Sequence, residues 1–358
     1  MGNPNEKIIG TGGTVSKERQ SNFELLRIIA MIMIIMYHYV IHGLQGTNAD
    51  WGESNKLVLE IVSMFGKIGV NFFVLISGYF GIKSTGRASK LIKLDAQTVF
   101  FSVILFLATF IATDIVNFSV GNLLTSLFPV IFNQYWFITA YFVLYLFMPY
   151  INKMLLALTK IELKRLIYTI LIIWCVVPTL TLQPATAFNW TQQIWMIAMY
   201  IVGAAIRLYP LDKSSRFWYI SGALSYILLV GSVIVFQMIG KRVPVFADNA
   251  TYFRWSNTLL AVFVTISTFM IFKNIKFPSN KVINYLAKGS IAVYLFHENQ
   301  FFSKILWEDV LQCDLMVNSP TFVLLFHLLG SIILIYLFEQ IYRSLQVVIE
   351  KLLIRYKE

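Results

Sequence analysis

The sequence is poor in charge, in cysteine and in histidine, and each shortage excludes a class of protein. Only 13% of its 358 residues are charged and 58% are hydrophobic, whereas a soluble domain has about a quarter charged residues. Two cysteines, Cys175 and Cys313, are too few for a disulfide framework, and four histidines without a CxxC pair argue against a structural zinc site. An aromatic content of 16% excludes a disordered chain. The composition therefore predicts a membrane protein.

Long apolar runs predict where the chain crosses the membrane. A helix needs about 20 apolar residues to span the hydrocarbon layer. Runs of this kind predict an all-α polytopic membrane protein with about ten transmembrane helices: 23–43, 57–82, 94–116, 134–151, 163–182, 190–207, 217–239, 253–272, 281–304 and 320–342. They form a predicted membrane domain, 23–345, between a flexible tail, 1–22, and a basic tail, 346–358.

The distribution of Lys and Arg predicts the orientation. When the ten predicted spans alternate in direction, 21 of the 29 basic residues fall on the side of the two termini and five on the other side. Basic residues are retained in cytoplasmic loops, so both termini are predicted to be cytoplasmic. The net charge of +11 is then a consequence of topology and gives no reason to expect a nucleic-acid partner.

The first predicted span contains two polar residues in an apolar run. Arg27 and His38 are eleven residues apart, which is close to three helical turns, so both project from one face with about 16 Å between them along the axis. Separately, Arg27 could be an anchor that reaches the membrane surface, and His38 could make a hydrogen bond between helices. Ionisable residues inside spans are costly, and the shared face favours a common functional role.

Arg27 and His38 belong to a wider pattern. GVNFFVLISGYFGIKS at 69–84 ends the second predicted span, and QYWFITAYFVLYLFMPYIN at 134–152 and SIAVYLFHEN at 290–299 lie further along the chain. Together these segments resemble the membrane acyltransferase family 3, and the resemblance extends over nearly the whole predicted membrane domain. It implies ten core helices.

The resemblance also implies an activity. Members of the family move an acyl group, usually acetyl, from cytoplasmic acyl-CoA to a hydroxyl of a glycan or lipid-linked sugar, which makes acyl-CoA a co-substrate and requires no bound cofactor. For this chain it implies that Arg27 and His38 are the essential pair. It further implies that Ser77, Gly78 and Tyr79 help to hold the donor.

Four loop cations after the second predicted span are candidates for binding the phosphates of the donor: Lys83, Arg87, Lys90 and Lys93. The family often has a pair of arginines here, and this chain offers one arginine followed by lysines. Lysine keeps the charge but lacks the planar fork that binds phosphate through two hydrogen bonds. Alternatively, these cations only set the topology.

Acyl transfer to an alcohol needs a base or an acyl-carrying nucleophile, and an imidazole can serve as either. His38 is the predicted catalytic group, with Glu60 or Glu298 as the carboxylate that orients it and His297 as a further functional residue. Each carboxylate could instead be interfacial. Trp136 could stack on a sugar acceptor or anchor the helix at the membrane surface.

Other polar residues are assigned simpler roles. His42, one turn after His38, is interpreted as interfacial, and His327 as structural. Lys67 could line a polar cavity. No metal site is predicted, because the pair His38 and His42 lacks the glutamate of HExxH and has Tyr39 in the intervening stretch.

The sequence therefore predicts a bacterial plasma-membrane O-acyltransferase, most simply an acetyltransferase, acting on cell-surface polysaccharide with possible partners in glycan biosynthesis. A transporter for polysaccharide or lipid-linked sugar is the first alternative, although it should show two similar halves, and none are visible. An inactive partner in a glycan-export complex is the second. Retention of both Arg27 and His38 argues against it.

Overall fold

The apolar runs fold as helices because a backbone in lipid must satisfy its own hydrogen bonds. The computed structural model describes residues 19–44, 53–184 and 192–355, and this part of the chain is helical without any β-strand. Its α-helices are α1 (Ser21–Ile41), α2 (Glu53–Ser63), α3 (Gly66–Gly81), α4 (Ala88–Ala112), α5 (Val120–Leu127), α6 (Trp136–Ala157), α7 (Lys160–Leu171), α8 (Val177–Leu180), α9 (Gln192–Leu208), α10 (Ser215–Gly240), α11 (Pro244–Asp248), α12 (Leu259–Asn274), α13 (Lys281–Lys288), α14 (Ser290–His297) and α15 (Thr321–Arg355). Short π- and 3₁₀-helical segments lie at Ile172–Val176, Tyr252–Arg254, Ile305–Val310 and Cys313–Met316.

Eight helical stretches within the described ranges are long and apolar enough to cross a membrane: Ser21–Ile41, Asn55–Gly81, Ala88–Ala112, Trp136–Ala157, Lys160–Leu180, Ser215–Gly240, Pro244–Asn274 and Thr321–Tyr342. They coincide with eight of the ten predicted spans. Of the other two, the sixth predicted span, 190–207, corresponds to α9, which is apolar but has only 17 residues, and the ninth, 281–304, is divided into α13 and α14 at Gly289. The all-helical membrane architecture is confirmed, whereas the count of ten and the cytoplasmic termini stay predictions.

The two predicted tails lie largely at the limits of the described chain. Residues 1–18 of the predicted flexible tail lie outside the described residues, and α1 begins at Ser21. At the other end, the backbone of α15 continues to Arg355, so most of the predicted basic tail prolongs the last helix. Residues 356–358 lie outside the described part.

Helix α3 is central because it packs against α1, α9 and α12. Its approach to α9 depends on two glycines. A Cβ atom on Gly78 would lie 2.1 Å from the carbonyl oxygen of Tyr200, and one on Gly203 would lie 2.2 Å from that of Leu75. Small residues permit this close approach of helix backbones, which van der Waals contact then stabilises in the membrane.

Buried polar side chains also join the helices. The Asn71 amide on α3 donates to the Ser256 carbonyl at 2.8 Å and accepts from the indole N–H of Trp195 on α9 at 2.9 Å. His327 on α15, predicted to be structural, has its Nδ1 atom 2.9 Å from the hydroxyl of Tyr39 on α1. These contacts fix the helices that surround the candidate site.

Candidate active site

A cavity of about 450 Å³ runs along α1, and the residues from the sequence analysis that line it are Arg27, His38, Lys67, Ser77, Lys90 and Trp136. One end, which we call the basic end, is lined by Arg19, Arg27, Lys90 and Lys288. The other, the histidine end, is lined by Tyr37, His38, Lys67 and Trp136. Met31 and Ile34 line the stretch between them, so the cavity follows one face of α1 over the roughly 16 Å that separate Arg27 from His38.

At the basic end, Arg27 is held by a carboxylate that the sequence analysis did not identify. Its Nη1 atom lies 2.6 Å from Oε1 of Glu24, one turn earlier on α1, and Nη1 of Arg19 lies 3.5 Å from the other oxygen of Glu24. Glu24 is buried. This carboxylate holds both guanidinium groups beside the cavity, while Lys90 and Lys288 contribute charge from α4 and α13.

At the histidine end, three histidines and one carboxylate converge. The Nδ1 atom of His38 lies 3.0 Å from Oε2 of Glu298 and 2.9 Å from Nε2 of His297. The Nε2 atom of His42 lies 3.1 Å from the same oxygen of Glu298. His38 and His297 are buried, at 5% and 0% exposure. The structure therefore brings together His38, His297 and Glu298 from the predicted set and adds His42.

The hydrogen-bonding geometry assigns the protons of this cluster. The Val293 carbonyl can only accept, so Nδ1 of His297, 2.6 Å away, is its donor, and Nε2 of a neutral His297 is an acceptor. The carboxylate of Glu298 accepts from His42 and from Nδ1–H of His38. Nε2 of His38 then keeps its lone pair. Since His38 lines the cavity, Nε2 is the nitrogen available for chemistry.

The turn that presents Glu298 is built by its neighbour Asn299, which is fully buried. The Asn299 side-chain oxygen accepts from the backbone N–H groups of Phe301 and Phe302 at 2.9 and 3.1 Å, and its amide donates to the Tyr135 hydroxyl at 2.7 Å. Helix α14 ends at His297, and this turn follows directly. These hydrogen bonds to the backbone and to Tyr135, the residue that precedes α6, fix the position of Glu298.

Lys67 faces the same cavity from the first turn of α3. Its ammonium lies 4.5 Å from the centre of the Trp136 ring and 5.8 Å from that of Tyr37. Aromatic faces attract cations, so the two rings hold the charge beside the histidine cluster. Trp136, predicted to contact the acceptor, lines the cavity and supports Lys67. The expectation that Lys67 lines a polar cavity is confirmed.

Of the three residues that the resemblance assigns to donor binding on α3, one lines the cavity. Ser77 does so, and its hydroxyl donates to the Phe73 carbonyl at 2.8 Å. Gly78 instead contacts the backbone of α9. Tyr79 is buried and its hydroxyl accepts from Nη1 of Arg207 at 3.1 Å, so both residues stabilise the helix packing behind the cavity wall.

The four cations predicted to bind the donor phosphates do not all lie at the cavity. Lys90 lines the cavity, whereas Lys83, Arg87 and Lys93 are exposed and are not among its lining residues. Arg87 contributes through its backbone, whose N–H donates to the Tyr145 hydroxyl at 3.0 Å and helps to place the start of α4.

The structure places Glu60 away from His38. Both oxygens of its carboxylate accept hydrogen bonds from the Gln237 amide on α10, at 2.6 and 2.8 Å. Glu60 lines a second cavity, and Glu298 is the carboxylate in contact with His38.

A metal ion could be held by the same cluster, although the sequence predicted none. Nδ1 of His38, Nε2 of His42 and Oε2 of Glu298 lie within 4.8 Å of one another. His297, whose Nδ1 is bonded to a carbonyl, has the orientation of a metal-binding histidine. The hydrogen bonds assigned above account for the same short contacts without a metal ion. The residues therefore fit either a hydrogen-bonded cluster or a metal site.

A family model for an acyltransferase domain, Acyl_transf_3, matches residues 20–340. The match includes α1 with Arg27 and His38, and it extends past α14 and Glu298 to the end of the apolar part of α15. No curated protein and no solved structure matches the chain.

Proposed function

Because the chain belongs to the membrane acyltransferase family 3, we propose that it moves an acyl group, with acetyl as the first candidate, from acyl-CoA to a hydroxyl of a cell-surface polysaccharide or lipid-linked sugar. The observation that carries this proposal is the single cavity that joins a cluster of cations to His38. Such a cavity suits a donor that has anionic phosphates at one end and a reactive thioester at the other.

The basic end of the cavity supports binding of the donor phosphates. Arg19, Arg27, Lys90 and Lys288 surround it, and among the described residues that line the cavity only Glu24 opposes their charge. Arginine forks bind phosphate oxygens through strong charge-assisted hydrogen bonds. With the basic end on the cytoplasmic side, as the loop charges predict, an extended pantetheine arm is long enough to bring the thioester to His38. No separate carrier then has to move the acyl group across this part of the bilayer.

The middle of the cavity offers partners for the amides of the pantetheine arm. Ser290 and Tyr294, one turn apart on α14, line the cavity, and both side chains are buried, at 2% and 4% exposure. The Ser290 hydroxyl has no hydrogen-bond partner among the described residues. Buried polar groups without a partner are uncommon, and a bound ligand with amide groups would satisfy this one.

In the proposed reaction, Nε2 of His38 removes the proton of the acceptor hydroxyl while the alcohol oxygen attacks the thioester carbon. The new C–O bond forms, the C–S bond breaks, and the departing thiolate takes the proton from the imidazolium, which yields an ester and free CoA. Glu298 holds the ring through Nδ1 and stabilises the transient imidazolium. Lys67, beside the same cavity end, stabilises the negative charge that develops on the thioester oxygen.

The experiment that tests this function uses the purified protein in lipid vesicles with labelled acetyl-CoA and a glycolipid extract from bacterial membranes. Wild type is expected to transfer label into the glycolipid fraction, and His38→Gln to lose about 10²–10⁴-fold in rate. The matched control is His327→Gln, which changes a half-buried histidine that does not line the cavity. Transfer that survives His38→Gln would overturn the role of His38. Movement of glycolipid without ester formation would favour a transporter.

A further inference from the structure

A second cavity, of about 380 Å³, begins where the first one ends. From α1 it is lined by Val40 and Ile41, the latter one turn beyond Tyr37 of the histidine end. Helix α2 and the stretch from Pro244 to Arg254 form the remaining wall. We call it the outer cavity, because it lies at the end of α1 opposite to the basic end.

The outer cavity has a charged and hydroxyl-rich lining. Glu60, Asp248, Arg254, Ser63 and Thr251 all border it. Glu60 is 7% exposed, and no cation lies within salt-bridge distance of it in the described part of the chain. An ionisable group buried inside a span is costly and marks a functional site by default.

Glu60 is also held in one orientation. Both carboxylate oxygens accept from the same amide nitrogen of Gln237, so one N–H group points between them. Each oxygen retains lone pairs that can accept from a ligand. A carboxylate held in this way is suited to accept hydrogen bonds from the hydroxyl groups of a ligand.

Arg254 connects the two cavities. It lines the outer cavity, and it also interacts electrostatically with Tyr37 and Lys67 of the histidine end. Along α1, Tyr37 and His38 line the first cavity and Val40 and Ile41, one turn later, line the outer one. A group bound in the outer cavity lies next to the reaction centre, on the side that the donor does not use.

We propose that the outer cavity binds the acceptor as a neutral, hydroxyl-rich glycosyl group and presents one hydroxyl to His38. This inference rests on the function proposed above. Two carboxylates and one guanidinium line the cavity, so hydroxyls find acceptors and donors there, while the excess of negative charge repels anionic sugars. The donor and the acceptor would then approach His38 from opposite ends of α1.

The test introduces a cysteine into the outer cavity and modifies it with a reagent that is applied outside the vesicles. Thr251→Cys lines the cavity, and Val245→Cys lies in the same Pro244–Arg254 stretch but is 58% exposed and does not line it. The native Cys175 and Cys313 are buried, and burial raises the pKa of the Cys313 thiol to about 12, so neither should react at neutral pH. The probe is a bulky, membrane-impermeant maleimide applied to sealed right-side-out vesicles loaded with labelled acetyl-CoA.

We expect labelled Thr251→Cys to lose at least tenfold in transfer to the glycolipid extract, while release of CoA without acceptor continues. Labelled Val245→Cys should keep both reactions. Unimpaired transfer by labelled Thr251→Cys, or failure of the reagent to reach it from outside, would overturn the proposal. Ala247→Cys, which lines the same cavity, replaces Thr251→Cys if that variant does not fold.

Two further results separate this inference from the proposed function. If wild type neither transfers acetyl groups nor releases CoA, the acyltransferase function fails, and the acceptor site with it. If wild type is active and only the cysteine results are negative, the acceptor site alone is wrong. Fractionation of the product by anion exchange tests the charge argument: label is expected in neutral glycolipid, and label confined to anionic glycolipid would contradict it.

Discussion

Nδ1 of His38 lies 3.0 Å from Oε2 of Glu298, and this contact joins the helix that begins the membrane domain to the turn that follows α14. The carboxylate accepts a hydrogen bond from Nδ1–H, and Nε2 keeps its lone pair. His42 bonds to the same oxygen, and His297 lies against the same ring nitrogen of His38, so the orientation of the imidazole is fixed from several directions. The proposed base is thus prepared before any substrate binds.

Glu298→Gln should therefore lower kcat while leaving the KM for acetyl-CoA within about twofold. The amide can still accept from His38, but it cannot stabilise an imidazolium, and we expect a fall of about 10²–10⁴-fold in kcat. Initial rates over a range of acetyl-CoA concentrations measure both constants. Glu308→Gln, at a partly exposed glutamate near Lys304, is the matched control. A variant with unchanged kcat would contradict the role of Glu298.

Lys90 and Lys93 provide a matched pair for the donor site. They lie three residues apart on α4, and only Lys90 lines the cavity. Lys90→Gln should raise the KM for acetyl-CoA about tenfold, equivalent to the loss of roughly 1.4 kcal/mol of charge-assisted binding. Lys93→Gln should have little effect. Added salt should reduce the difference between the two, because it screens the attraction between Lys90 and the phosphates. Equal KM values for both variants would place the phosphates elsewhere.

The helical architecture could be predicted because it depends on local properties of the chain. Apolar runs of sufficient length fold as helices in lipid wherever they occur, and helical periodicity alone places Arg27 and His38 on one face. The structure agrees on both points, and the cavity follows that face of α1. The division of the ninth predicted span at Gly289 was not predicted, although Lys288 followed by Gly289 is a local signal for the end of a helix.

The partners inside the site could not be predicted in the same way. Glu60 and Glu298 both lie near the ends of predicted spans, and only the packing of α14 against α1 shows which of them reaches His38. Lys288 could be seen as a cation within a span, but its place beside Arg27 depends on the position of α13. Glu24 is different, because its position one turn before Arg27 is a local signal that helical spacing alone provides.

Gly78 shows how a motif residue can serve packing. A Cβ atom there would lie 2.1 Å from the Tyr200 carbonyl oxygen, so Gly78→Ala must separate α3 from α9. We expect a loss of about 1–3 kcal/mol in stability, seen as a lower unfolding temperature in detergent. Gly231→Ala, where a Cβ atom would have no neighbour within 4 Å, should be at least as stable as wild type. A Gly78→Ala variant with normal stability and a raised KM for acetyl-CoA would instead support donor binding by this residue.

The histidine cluster should respond to zinc in a way that separates a hydrogen-bonded network from a metal centre. His38, His42 and Glu298 offer three ligand atoms within 4.8 Å, so Zn²⁺ can compete with the protons that now join them. We expect acyl transfer to survive EDTA and to be inhibited by added Zn²⁺, because the metal would occupy Nδ1 of His38 and displace Glu298 from it. His42→Gln removes one ligand and should weaken this inhibition about tenfold. Activity that is lost with EDTA and restored by Zn²⁺ would show the opposite: the cluster would then be a resident metal site, and the role of His38 as a free base would have to be abandoned.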